Sequence, residues 1–168
     1  KRPPRPWINV IANDDFGFLV SETGAGNTWH RNSREHRLTP WSNAAVVDPH
    51  GGAFYARDED TSAFWSLLPG PAPGAWDYEM RHGFGYSCCR HAAGTLEQEV
   101  TLFVPPRDPL RVTTVRVANR GTAARRVSLY AYYRLVLGDL PEESGRFVVT
   151  EPAGSATLFA RNRTAAFP

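Results

Sequence analysis

Glycine and proline punctuate this chain so often that a helix bundle is disfavoured and a turn-rich, strand-rich fold is expected. Fourteen of each occur among 168 residues, and the runs between them are short and β-prone. WINVIAN and FGFLVS, separated by Asn13, Asp14 and Asp15, predict a hairpin. After the turn Asp48–Gly52, AFYAR and SAFWSLL flank DEDT and predict a second. Tyr78 to Val104 is expected to form two strands around AAGT, with Leu96, Val100, Leu102 and Val104 on one face and Glu97, Glu99 and Thr101 on the other. PPRDP ends that run, because proline cannot donate to a ladder.

A third hairpin is expected between RVTTVRVAN and RRVSLYAYYRLVLG across Arg120-Gly121-Thr122. In the second of these runs Val127, Leu129, Ala131, Tyr133, Leu135 and Leu137 share one face, while Tyr130, Tyr132 and Val136 make the other apolar too. A strand apolar on both sides is covered on both sides, so it lies inside a sandwich or its outer face meets another domain. FVVTE and ATLFAR supply late strands. The class expected is all-β, an antiparallel β-sandwich, with residues 1–6 (KRPPRP) a linker and 7–168 one domain. A chain of this length can bury about two thirds of its unfolded surface.

The formal charge of +2 comes largely from that linker: without Lys1, Arg2 and Arg5 the chain holds 16 basic against 17 acidic side chains. A near-neutral body argues against a nucleic-acid surface, which needs a basic stripe to displace counterions. No long uncharged apolar run is present to span a membrane and no signal-peptide pattern opens the chain. The lone methionine is Met80, and the chain is expected to be an excised or processed piece of something longer. Adjacent Cys88 and Cys89 exclude an ordinary zinc-ligand pair and leave a strained vicinal disulfide or, as expected here, two reduced thiols on opposite faces of a strand. They favour a reducing, cytoplasmic location.

Few motifs carry chemistry. Asp58-Glu59-Asp60 matches a metal-holding acidic triplet only superficially and sits where a solvated turn is expected. Gly24-Ala25-Gly26 lacks the pattern and the following helix of a phosphate loop, and no nucleophile-elbow sequence supports a hydrolase triad. Arg81-His82-Gly83-Phe84-Gly85-Tyr86 alternates glycine with aromatics, marking either a bend approached by a ligand or rings packed over glycines within a sheet. The segment Trp29 to Trp41 stands apart. Its two indoles suit the apolar C–H face of a pyranose, and its arginines, histidines and glutamate suit the surrounding hydroxyls. The opposing reading is a loop pinned to its own sandwich by buried tryptophans and internal salt bridges.

Five stretches then resemble, in order, the N-terminal β-sandwich of glycoside hydrolase family 94: NDDFGFLVSETGAGNTWHRNSREHRLTPWSN, FYARDEDTSAFWS, YEMRHGFGYS, EVTLFVPPRDPLRV, and VANRG with SLYAYYRLVLG. WHRNSREHRLTPW followed by RDEDT is most similar to the cyclic β-1,2-glucan synthase branch. The double cysteine departs from the usual pattern. The resemblance implies a supersandwich of the galactose mutarotase kind beside an (α/α)6 barrel, in which inorganic phosphate serves as co-substrate and a barrel aspartate is the general acid. This chain is then expected to hold no catalytic residue, metal or cofactor. Its expected partners are a β-glucan or oligosaccharide, met by Trp29, Arg31, Arg34, Glu35, Arg37 and Trp41, and the barrel of the same polypeptide. A second reading is a purely structural sandwich docking through Tyr130 and Tyr132. A third, a free-standing mutarotase-like enzyme, requires His82 to converge with Glu79 or Glu99 on an open sheet face.

Overall fold

A computed structural model describes residues 3–164 apart from 43 and 45; Lys1 and Arg2 of the expected linker and the last four residues of the expected domain lie outside the described residues. Among the described residues, twelve strands arrange as four antiparallel sheets, and the helical structure is one turn, α1 (Pro141–Ser144), with a 3-10 turn after it. The all-β expectation holds.

The first sheet orders β1 (Ile8–Ala12), β2 (Phe16–Ser21) and β3 (Thr28–His30). Asn13 makes its turn: the side-chain oxygen accepts from the backbone N–H of Asp15 at 3.0 Å and Phe16 at 2.8 Å. Alternation sends Ile11, Phe18 and Val20 into the core, leaving Ile8, Val10 and Leu19 on the outward face. The second sheet places β4 (Gly52–Asp58) between β5 (Phe64–Ser66) and β10 (Val127–Tyr133). The third is a meander of β6 (Tyr78–Gly83), β7 (Tyr86–Ala93), β8 (Leu96–Phe103) and β9 (Val112–Asn119). A separate hairpin of β11 (Val148–Ala153) and β12 (Thr157–Asn162) forms the fourth. Inner faces of the first three meet in one core, built on Phe18, Ile11, Trp65, Leu96, Val100 and Leu102 among others.

The third sheet separates its faces by chemistry. Inward, Cys89 opposes Val100 and His91 opposes Gln98; outward, Glu79, Arg90, Glu99 and Arg116 stand in register as an alternating-charge row across all four strands. The expected apolar face of β8 is thus interrupted at Gln98, whose buried amide oxygen accepts from Trp65 Nε1 at 3.1 Å. The cysteines are free, buried, and on opposite faces of β7, and burial pushes the Cys89 thiol up to about 12.

Three expectations need correction. Tyr78 to Val104 forms three strands, because Phe84 and Gly85 close an additional tight hairpin, with Gly85 at φ +77°. The Tyr86 ring covers Gly83, where a Cβ would lie 2.3 Å from it, so that pair is packing within the sheet, while Phe84 at the hairpin tip is fully exposed. The third expected hairpin does not form: β9 pairs with β8, and β10 pairs with β4. Ion pairs explain the departure. Arg125 binds the buried Asp58 carboxylate, the Arg126 guanidinium binds Asp60, and Glu59 N–H donates to the Arg126 carbonyl at 2.9 Å, fastening the connection to the β4–β5 turn. Finally, β10 is an edge strand rather than an interior one: Leu129, on the face turned toward the core, is 50% exposed, and Tyr130 and Tyr132 are exposed on the other. Strand structure also stops at Tyr133, short of Leu135 and Leu137.

Candidate functional site

The segment expected to be a long loop is partly a backbone ladder. Trp29 pairs with Gly17, and after a lobe at 31–36 the chain returns so that Leu38 N–H donates to the Thr28 carbonyl at 2.8 Å. Arg37 then exchanges both backbone hydrogen bonds with Gly138, at 3.0 and 3.1 Å. Asn32 organises the lobe, its side-chain oxygen accepting from Arg34 N–H at 2.8 Å and Glu35 N–H at 3.0 Å. His30 and His36 stack across its base with ring centroids 5.7 Å apart. These bonds fix the backbone of the lobe.

Trp29, Arg34, Arg37 and Trp41 border a groove of about 560 Å3 that also takes Val10, Leu19, Asn27 and Ser33. The seat for Trp29 is Gly17, where a Cβ would lie 2.5 Å from the indole. Trp41 is 42% exposed and Trp29 is half-buried, so neither indole is sealed in the core. The two remaining residues of the expected set sit outside this lining. Arg31, at φ +58°, pairs with Asp15 at 3.4 Å, and Glu35 is exposed on the lobe.

Among the cations, Arg37 is held fast. It is 8% exposed, its Nε donates to the Ser33 carbonyl at 3.2 Å and its Nη1 to that of Asp139 at 2.6 Å, and its guanidinium lies 5.4 Å from the Trp41 ring centroid. It positions the loop and the indole. Arg34 is exposed, and no side-chain bond ties it down among the described residues. The inner side of the same sheet carries Arg111, which the sequence reading missed: its guanidinium lies 4.4 Å over Phe18, and Nη1 donates to Thr28 Oγ1 at 3.3 Å. Burial pushes its pKa below the ordinary arginine value.

The other candidates resolve as structure. Asp58 is committed to Arg125, to Asp60 N–H at 3.0 Å and to the N–H and hydroxyl of Thr61 at 2.8 and 3.0 Å, which hold its pKa down at about 2. Ser87 Oγ meets His82 Nδ1 at 2.8 Å, but Ser87 is fully buried and its hydroxyl cannot reach a substrate. His82, itself exposed, stands on the opposite face of the sheet from Glu79 and Glu99, which are bound to Arg81 and Arg90, so the convergence a mutarotase-like enzyme requires does not occur.

Comparison with known proteins decides the family. The sequence model described as "Glycosyl hydrolase 94, supersandwich domain" matches residues 1–167. The chain belongs to this family. This supersandwich domain is 41% identical over 163 residues to cyclic β-(1,2)-glucan synthase of Rhizobium meliloti (strain 1021), covering 95% of the chain and 6% of that protein. It is 30% identical over 132 residues to N,N'-diacetylchitobiose phosphorylase of Vibrio furnissii, covering 77% of the chain and 16% of that protein. Solabiose phosphorylase of Paenibacillus borealis is 29% identical over 146 residues, with 80% of the chain and 18% of that protein covered. The domain therefore spans less than a fifth of these relatives.

Proposed function

We propose that this supersandwich domain is a non-catalytic, saccharide-facing part of a glycan phosphorylase-like or cyclic β-1,2-glucan synthase protein, shaping the substrate cleft of an (α/α)6 barrel in the same polypeptide. One observation carries the reading: the groove joins two accessible indoles and an untethered guanidinium over an aliphatic floor of Val10 and Leu19. A pyranose offers the complement, an apolar C–H face ringed by hydroxyls. Trp29, Trp41 and Arg34 contact sugar, Arg37 holds Trp41 in place, and Arg31 and Glu35 act from the adjacent lobe. Relatives named for a β-(1,2)-glucan and for chitobiose support that ligand class. Chemistry belongs to the barrel, with inorganic phosphate as co-substrate where the parent protein is a phosphorylase. No helix among the described residues is long and apolar enough to cross a membrane.

Calorimetric titration of the full-length protein with β-1,2-glucan tests the reading. Arg34→Ala with Trp41→Ala is expected to lower affinity with melting unchanged; unchanged affinity with lowered melting contradicts it. The exposed strand β10 favours a second reading, in which Tyr130 and Tyr132 dock on the barrel or another copy and the sandwich only scaffolds.

A further inference from the structure

We propose that the cleft between Tyr55, Phe64 and Tyr130 on the outward face of the second sheet is a further saccharide subsite, separate from the Trp29–Trp41 groove and built to stack a β-linked glucose unit beside the Arg57 guanidinium. The cleft holds about 420 Å3 and is lined by Tyr55, Arg57, Ser62, Phe64, Ala72 and Tyr130, within the range of about 300–1,000 Å3 usual for small-ligand sites. Strand register creates it. Tyr130 on β10 stands directly opposite Tyr55 on β4, and Phe64 on β5 stands opposite Arg57, so three rings and one cation share a face of three adjacent strands. Tyr55 and Phe64 meet edge to face, centroids 6.5 Å apart at 67°, and both line the cleft. Phe64 is 65% exposed, far more than its packing requires.

The polar rim is preorganised. Asp58 fixes the β4–β5 turn through Asp60 and Thr61, as described above, and its carbonyl accepts from Ser62 N–H at 2.8 Å. Ser62 is held at φ +61°, a conformation a serine rarely adopts, with its hydroxyl accepting from Arg57 Nη2 at 3.3 Å. Across the cleft, Ala72 is locked to Ser66 by two hydrogen bonds of 2.7 Å. Among the described residues, Arg57 has Ser62 and, at 3.9 Å, Glu59 against its five N–H donors. An all-apolar occupant strands those donors, whereas sugar hydroxyls satisfy them while the rings take the C–H face.

The inference rests on the saccharide-facing reading of the domain, and the variants separate the two. Native gels of the full-length protein cast with soluble linear β-1,2-glucan measure retardation. Phe64→Ala and Tyr130→Ala are each expected to weaken the apparent affinity about fivefold, with melting unchanged, and Tyr130→Phe, which keeps the ring, to stay within about twofold. Retardation unchanged in both alanine variants overturns the subsite, as does equal loss in Tyr130→Phe and Tyr130→Ala. Loss in Arg34→Ala and Trp41→Ala alone upholds the groove and rejects this cleft; loss in Phe64→Ala and Tyr130→Ala alone does the reverse. An unsubstituted protein that is not retarded rejects both.

Discussion

Gly17 fixes where Trp29 can lie, and a single methyl group there displaces it. Gly17→Ala puts a Cβ against both the indole and, at 2.9 Å, Ala12, so it is expected to destabilise the domain by about 1–3 kcal/mol and shift tryptophan emission, both read in one thermal melt followed by fluorescence. Arg37 answers a different question from Arg34. Arg37→Lys keeps the charge but loses the fork that reaches two carbonyls, and is expected to lower stability by about 1–3 kcal/mol, whereas Arg34→Ala leaves the melting temperature in place. His91 sets an acid limb. Burial pushes it down to about 4 from 6.5, so between those values the unfolded chain binds a proton that the folded one refuses. Stability is therefore expected to fall as pH drops from about 6.5 to about 4, and His91→Phe to flatten that limb in melting curves taken against pH. Asp58 acts in a lower window: its depressed pKa contributes stability above 3.8 that is lost as pH falls toward about 2. At this scale the indoles and the untethered arginine were legible in the sequence as an odd composition. The seat at Gly17 and the grip of Arg37 on Asp139 were not, because they depend on partners brought close only by folding.

Among elements, local hairpins read well and crossings did not. The pairs β1–β2, β4–β5 and β7–β8 follow from short turns between β-prone runs, and each formed as the pattern predicts. The step from β9 to β10 looked equally local, yet Asp58, 67 residues from Arg125, draws the chain into another sheet. Alternation alone carries no information about such a long-range ion pair. The two-sided apolarity of β10 was read correctly as a pattern, but the strand lies at an edge with both faces open. The two leucines on which these readings turn therefore differ. Leu102→Ala, in the core at 1% exposure, is expected to cost about 2–5 kcal/mol, and Leu129→Ser under about 1 kcal/mol, by chemical denaturation. Equal losses would mean that the open face of β10 is covered in solution.

For the molecule as a whole, the family and the all-β class were carried by ordered motifs along most of the chain, and the matched span confirms both. The chain spans 6% and 16% of the length of the glucan synthase and chitobiose phosphorylase relatives. We propose one physical relation: indoles left open on a sheet face, beside the Arg34 guanidinium that no side-chain bond holds among the described residues, meet a sugar. Solving the full-length protein with a bound β-1,2-linked gluco-oligosaccharide measures that relation directly. A pyranose ring within about 4 Å of the Trp41 indole, with a hydroxyl hydrogen-bonded to Arg34, is the predicted result; barrel side chains filling the groove, with the sugar elsewhere, would contradict it.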